Sequence, residues 1–524
     1  MTVHFCFSLF YQPAVASSQD WTNPLLAAGQ LKIEASSLYL FTSERFGKRL
    51  EDNHLIEEVE LLGFDFTSAS AGSNLFPVLS NLEDQLNRII DQNDYSVILG
   101  SSATNLTRDA VRIPMTISVG ISNNMTLGVT VPITRQRTEV GTSFNAANSN
   151  VGINPSIDNT QQVDDFLDDL ASVELELSTL VQGFCNPGTE TSRCLEVKNT
   201  LQNTQIFHEA LSQAYIGFGV FPLAGSDAGN LLQLRLDALS NTHSLLGVHS
   251  SPTTIPLATN FISQQHYQEL ITDPSYGVGA RPLQSWLSPW TLGDIEFFSN
   301  FKLLSSENKT SKTDLSSSDN INYLVGIGSL FRLGTGQSDL DNNLVDVGSG
   351  DGQNDFEIKL FANLSDADLW SLWLEASFGT QRPTAVTRRI ALPHQAFPSS
   401  STTQLVNWTP GSYTQVRFSP RYQLTKELAF SGDTQYFSKK NDQYSKNSSA
   451  ACNLSACMDP KLLEHETSQS LFDVGGGFIF SDRSPERNRP IEILFLYRKS
   501  VWGSGGRTPK TSHFQLGVKL FSSS

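Results

Sequence analysis

Apolar and polar positions alternate strictly through strand-length windows of this chain. Trp370, Leu372, Leu374, Ala376 and Phe378 share one face, and Ser371, Trp373, Glu375 and Ser377 share the other. Just upstream, Phe356, Ile358, Leu360, Ala362 and Leu364 alternate with Glu357, Lys359, Phe361 and Asn363. Ser365-Asp366-Ala367-Asp368 supplies a tight turn between the two segments. The pattern recurs at Leu127, Val129, Val131 and Ile133, at Val416, Phe418, Pro420 and Tyr422, and at Phe472, Val474, Phe478 and Phe480. It closes the chain at Phe514, Leu516, Val518 and Leu520. Period 2 with one apolar face is the signature of β-strands.

Such strands suit a soluble sandwich as well as a barrel, and two features favour the barrel. Short turns at 122–124, 365–368 and 424–427 alternate with long polar loops at 381–412 and 439–466. Membrane barrels have short periplasmic turns and long outer loops. The apolar faces also carry aromatics near strand ends, such as Trp370, Phe378, Tyr436 and Phe480, as interfacial girdles do. The fold class expected is therefore all-β, a closed antiparallel transmembrane β-barrel of about 14 strands with a helical insertion. The strands fall near 31–41, 55–67, 94–101, 110–121, 125–138, 290–304, 321–334, 354–364, 369–380, 413–424, 427–438, 467–481, 489–502 and 511–522. An even count puts both chain ends in the periplasm, and 94–101 is the weakest member.

Two regions break the rhythm. In 75–92, Leu79, Leu82, Leu86, Ile89 and Ile90 form a helical stripe, which predicts a plug-like segment. In 140–289, helices are expected over 163–180, 197–215 and 229–240. That insertion lies outside the cell or folds back into the lumen. Residues 19–524 thus make a single barrel domain.

Composition changes the picture in three places. The net charge of −17 on 524 residues leaves no basic stripe for phosphates, so nucleic acid is excluded as a partner. Residues 1–18 combine an apolar core, Phe5 to Phe10, with Ala14-Val15-Ala16-Ser17, and read as a signal peptide lacking a basic n-region. An ordinary apolar N-terminal segment is the competing reading. Cys185 with Cys194, and Cys452 with Cys457, form two local pairs in polar loops. Short-loop disulfides fit an oxidising envelope. Zinc fits less well, since neither pair is C-x₂-C and no histidines accompany them.

The inner faces expected from parity carry Glu296, Lys302, Arg332, Glu357, Lys359, Glu375, Arg417, Arg421, Asp433, Glu492, Arg498 and Lys519. These residues would either select solutes as charge rings or fill the lumen as a salt-bridged network. Asp339, Asp341, Asn343, Asp346 and Asp351 offer oxygen ligands for calcium, but the EF-hand glycine after Asn343 is missing, and a solvated acidic outer loop explains them better. No Gly-x-Ser-x-Gly elbow occurs, and the histidines do not cluster around a serine, so neither an enzyme nor a cofactor is expected.

The run from Ile113-Pro114 through Gly120-Ile121-Ser122-Asn123-Asn124-Met125 to Pro132-Ile133 resembles a hairpin of outer-membrane barrels of the phenol-degradation meta-pathway type. Leu292-Gly293-Asp294-Ile295-Glu296 and Leu330-Phe331-Arg332-Leu333-Gly334-Thr335-Gly336 resemble their core motif, with Gly334 in place of a proline. The likeness covers roughly 110–135 and 290–380, and extends loosely to the long-chain fatty-acid transporter superfamily. It implies a cell outer-membrane location, passive uptake of small, often hydrophobic, molecules, and contact with outer-membrane lipids and barrel-insertion machinery. The insertion 140–289 and the ending Phe521-Ser522-Ser523-Ser524 depart from the pattern. The alternative is a surface-interaction or structural barrel whose long outer loops bind a partner.

Overall fold

The computed structural model describes residues 24–51, 54–90, 94–185, 191–306, 321–346, 348–366, 369–392, 395–448, 457–482 and 490–522. The expected signal segment 1–18 and Cys452 lie outside the described residues.

Twelve strands run antiparallel, each beside its neighbours in sequence. They are β1 (Leu31–Glu51), β2 (Ile98–Ser122), β3 (Met125–Asn145), β4 (Ile295–Ser305), β5 (Ile321–Leu333) and β6 (Asp355–Asp366). They continue as β7 (Trp370–Gln381), β8 (Tyr413–Gln423), β9 (Leu428–Lys439), β10 (Gln469–Asp482), β11 (Ile491–Ser504) and β12 (Thr508–Phe521). Closure comes from β1, which pairs with β12 on one side (Lys32↔Phe521) and β2 on the other (Leu31↔Val119). No edge is left on this ring, and every backbone group within it can be paired, as a lipid environment demands.

The ring holds 12 strands, against the 14 expected. The segments near 94–101 and 110–121 are one strand, β2, whose middle is too polar on both faces to keep an apolar period. The strand His54–Leu61 pairs only with the far end of β1 (Glu44↔Leu61) and is not a stave of the barrel. The count stays even. The start of β1, the end of β12 and the strand ends joined between β2 and β3, β6 and β7, and β8 and β9 lie at one end of the barrel, here the terminal end. The long connections 52–97, 146–294, 334–354, 382–412 and 440–468 lie at the other, the loop end.

Outward parity is apolar. Ile33, Phe41, Ile117, Phe297, Phe331, Leu360, Leu374, Phe418, Phe478, Phe495 and Leu516 are all exposed. A belt of this kind around a closed barrel is what hydrocarbon requires, and water would penalise it. A tilted strand crosses in about 9–11 residues. At 25 and 21 residues, β2 and β3 are far longer, and their upper halves stand clear of the belt.

Those upper halves carry a helical cap. Its main helices are α1 (Ser80–Ile90), α2 (Thr160–Phe184), α3 (Ser192–Gly217), α4 (Asp227–Leu246) and α5 (Gln264–Thr272). Thr191, Ser226 and Ser263 cap α3, α4 and α5 through their hydroxyls, and Gly247 ends α4 in the left-handed region. The Cys185–Cys194 disulfide staples the end of α2 to the start of α3. Cys457 is also disulfide-bonded. Leu82, Leu86, Ile89 and Ile90 of α1 join Phe166, Phe207, Leu211, Leu232 and Leu236 in one apolar core. No described helix is long and apolar enough to cross a membrane.

The residues before β1 turn into the lumen. Leu26 N donates to the Thr126 hydroxyl on the inner face of β3 (2.8 Å), and Gly29 N donates to Gly120 O (2.8 Å). Leu25 packs against Leu324, Phe361 and Trp373, which face inward from β5, β6 and β7. The segment therefore crosses the terminal-end mouth. Gly120 makes room for it, because a Cβ there would stand 2.0 Å from the Ala27 carbonyl oxygen. Replacing Gly120 with Ala is expected to cost about 1–3 kcal/mol through that overlap. The urea midpoint of the barrel in detergent checks this, and an unchanged midpoint would show that the segment is not seated against β2.

Candidate functional site: the lumen and its two mouths

Inward parity places ionisable side chains in three tiers. Nearest the termini, Lys32 pairs with Glu34 on β1 (3.3 Å), and Lys519 on β12 pairs with Glu492 on β11 (3.2 Å). Register sets Glu34 directly beside Lys519, so the two pairs adjoin. Lys302 and Arg421 share the inner face toward this end and are half-buried.

The middle tier centres on Asp433 of β9, which is fully buried. It accepts from Arg417 Nε on β8 (2.6 Å), from the Ser419 hydroxyl (2.9 Å) and from Arg498 Nη1 on β11 (3.2 Å). Arg498 also reaches Gln435 (2.8 Å) and Asp473 on β10 (3.7 Å). Lys359 on β6 meets Glu375 on β7 (3.7 Å). His513 of β12 lies beside Arg498 in register and is buried.

The tier at the loop end is built around Arg332 of β5. Its guanidinium meets Glu296 on β4 (3.2 Å), and Glu357 and Asp355 on β6 (3.4 and 3.7 Å). It also donates to the Tyr413 hydroxyl (2.8 Å), which in turn donates to Glu357 (2.7 Å). Arg112 on β2 reaches Glu296 from the other side (3.3 Å). Gln381 Nε2 bridges Asp351 (2.6 Å) and Asp355 (3.0 Å). Asp294 accepts from Gly336 N (2.8 Å). Burial pushes the Asp294 carboxyl up to about 6. Burial, with Asp355 and Asp294 nearby, pushes Asp351 up to about 8.

The connection 334–354 folds inward over this tier. Arg108 and Thr138, on the inner faces of β2 and β3, both donate to Val345 O (3.2 and 3.5 Å). The cap and the other loops lock onto it. Arg388 pairs with Asp339 (2.8 Å), and Arg389 donates to the Val278 and Gly279 carbonyls (2.9 and 2.7 Å). Phe397 stacks on Phe76 (4.5 Å), while Phe144 stacks on Tyr267 (4.6 Å), which meets Phe76 edge-on (5.5 Å). These rings rivet three separate connections to one another and to the end of β3.

Parity in sequence placed Glu296, Arg332, Glu357, Lys359, Glu375, Arg417, Asp433, Glu492 and Arg498 on inner faces, and they meet there as ion pairs. Arg112, Asp355, Asp473 and Lys32 belong to the same network and were not singled out. They sit at strand positions of inward parity, which was the signal available for them. Asp351, one of the proposed calcium-loop acids, belongs to the third tier. Among the described residues no group of three ligating side chains is placed to hold a metal ion.

No protein-family model and no curated protein matches the chain. Solved structures do. An outer-membrane channel from Pseudomonas putida F1 is 6% identical, with 96% of this chain and 99% of that one covered and a TM-score of 0.39. The Ralstonia pickettii toluene transporter TbuX is 8% identical, with coverages of 95% and 90% and a TM-score of 0.26. The translocator domain of the autotransporter NalP from Neisseria meningitidis is 6% identical, with coverages of 97% and 92% and a TM-score of 0.27. Likeness at this level carries no inference about activity, which rests on the chain's own geometry.

Proposed function

We propose that the chain is an outer-membrane channel that passes small solutes passively, with the terminal end in the periplasm and the cap outside the cell. The supporting observation is a polar, ionised inner face running from mouth to mouth behind an apolar belt. Charged side chains are costly to bury, so a wholly structural barrel gains little from three tiers of them. A lined water path gives them a use. The inner lining also bears on the cargo. An apolar solute gains nothing beside Arg417, Asp433 and Arg498, and the apolar inner patch of Leu324, Phe361 and Trp373 is already occupied by Leu25. Small polar solutes fit this lining better than hydrophobic ones.

Single-channel recording of the purified barrel in a planar bilayer tests the reading. Discrete conductance steps are expected, larger once residues 24–29 are removed. Absence of any step in both forms would overturn the proposal. A surface-interaction role is favoured by one separate observation. Leu175, Ile216 and Leu245 of the cap helices are 70%, 79% and 78% exposed. That role predicts a barrel that stays silent in the bilayer.

A further inference from the structure

Five carboxylates, Asp294, Glu296, Asp351, Asp355 and Glu357, gather at the loop-end mouth around two guanidiniums, Arg112 and Arg332. Four of the five, Asp294, Glu296, Asp351 and Asp355, are at most 7% exposed. A buried surplus of negative charge is unfavourable unless something neutralises it. A second observation bears on what that is. Glu296 Oε2 is buried with no hydrogen-bond partner, and so are both amide atoms of Gln353, which is 3% exposed and shares inward parity with Asp351 and Asp355. Each such atom left unmatched carries a desolvation cost.

We propose that this mouth cluster binds an organic cation through a primary ammonium group. An ammonium brings one positive charge and three donors, which suit a carboxylate-rich mouth holding unmatched acceptors such as Glu296 Oε2 and the Gln353 amide oxygen. A bare metal ion is less suited, because among the described residues no three ligating side chains are grouped to hold one. The channel reading enters only in how the cation arrives; the binding itself does not depend on conduction.

Protons compete for the same charge. The carboxyls whose protonation is displaced upward are Asp294, to about 6, and Asp351, to about 8, each mainly by burial. The charged and titratable groups facing them are Asp355 and Glu357 on β6, Glu296 on β4, Arg332 on β5, Arg112 on β2 and Tyr413 on β8. Below pH 6 both carboxyls hold their protons and most of the surplus is removed. Above pH 8 both are ionised and the site is at its most negative. Cation binding therefore strengthens as pH rises.

The test is calorimetric titration of n-butylammonium chloride into the full-length chain in detergent, at pH 5 and pH 8.5, with sodium butyrate as the matched anion. Binding of butylammonium at pH 8.5, at least tenfold weaker at pH 5, with none for butyrate, is expected. Asp351→Asn should weaken it severalfold while the band still shifts on heating in a gel, which reports a folded barrel. Glu296→Gln is the second variant, should Asp351→Asn unfold. Equal binding of butyrate, no pH dependence, or no binding at pH 8.5 would overturn the proposal. A barrel that binds butylammonium but conducts nothing would overturn the channel reading and leave this one standing.

Discussion

Removing residues 24–29 is expected to raise the conductance of the barrel severalfold. The segment crosses the terminal-end mouth from β1 toward β5, β6 and β7, filling space that the inner faces would otherwise leave to water. Its hold is weak by simple energetics. Burying Leu26 contributes about 1.5–3 kcal/mol, and the partly buried Leu25 adds less. Hydrogen bonds such as Leu26 N to Thr126, Ala28 N to Asn123 and Gly29 N to Gly120 O add about 0.5–1.5 kcal/mol apiece. Ordering the backbone costs about 1–2 kcal/mol per residue, which cancels most of this. A plug this close to balance leaves its seat by thermal motion, so the intact barrel should flicker between two levels. The truncated form should stay at the higher one. Planar-bilayer recordings read both properties directly. Identical step sizes in the two forms would show that the segment does not define the narrowest point. Leu25→Ser is the milder variant and should shift the flicker toward the open level without altering its size.

The strand faces were legible in the sequence and their partners were not. Alternation alone put Glu375 and Trp373 on one side of β7 and Leu374 on the other, as found. Which cation meets Glu375 depends on register, and register is set by the turn and by the whole sheet. The strand count failed where lipid stops selecting for apolar residues. From Ser102 to Asp109, β2 runs above the belt, so its polar residues look like a break between two strands. His54–Leu61 failed in the opposite sense, since it is a strand but extends β1 where no bilayer needs a stave. The lumen segment was invisible because Pro24 to Gln30 has no period of its own. Its two leucines acquire meaning only beside Leu324, Phe361 and Trp373, which come from three distant strands. The helix stripe at 75–92 was real, but its apolar face meets cap helices, a choice that periodicity cannot make.

The second large effect belongs to Asp433. Asp433→Ala leaves the guanidiniums of Arg417 and Arg498 buried at 4% exposure each without their shared carboxylate. Losing one member of a buried ion pair costs about 3–5 kcal/mol, most of it from the stranded charge. Here two cations lose their carboxylate at once, and Asp473, Glu375 and Gln435 take up part of the loss. Asp433→Asn should fall between Ala and wild type, because its amide oxygen still accepts from Arg417 and Ser419 but brings no charge. The comparison that gives these numbers meaning is Asp109→Ala. Asp109 pairs with Arg137 at 2.8 Å, which is closer than the contact of Asp433 with Arg498, yet the Arg137 side chain is 48% exposed. Exposed pairs contribute about 0–1 kcal/mol, so that variant should unfold almost with wild type. Urea midpoints of all three variants in one detergent decide the matter. If Asp433→Ala unfolds together with Asp109→Ala, water solvates Arg417 and Arg498 on every side, and the middle tier lines the lumen without bracing the barrel.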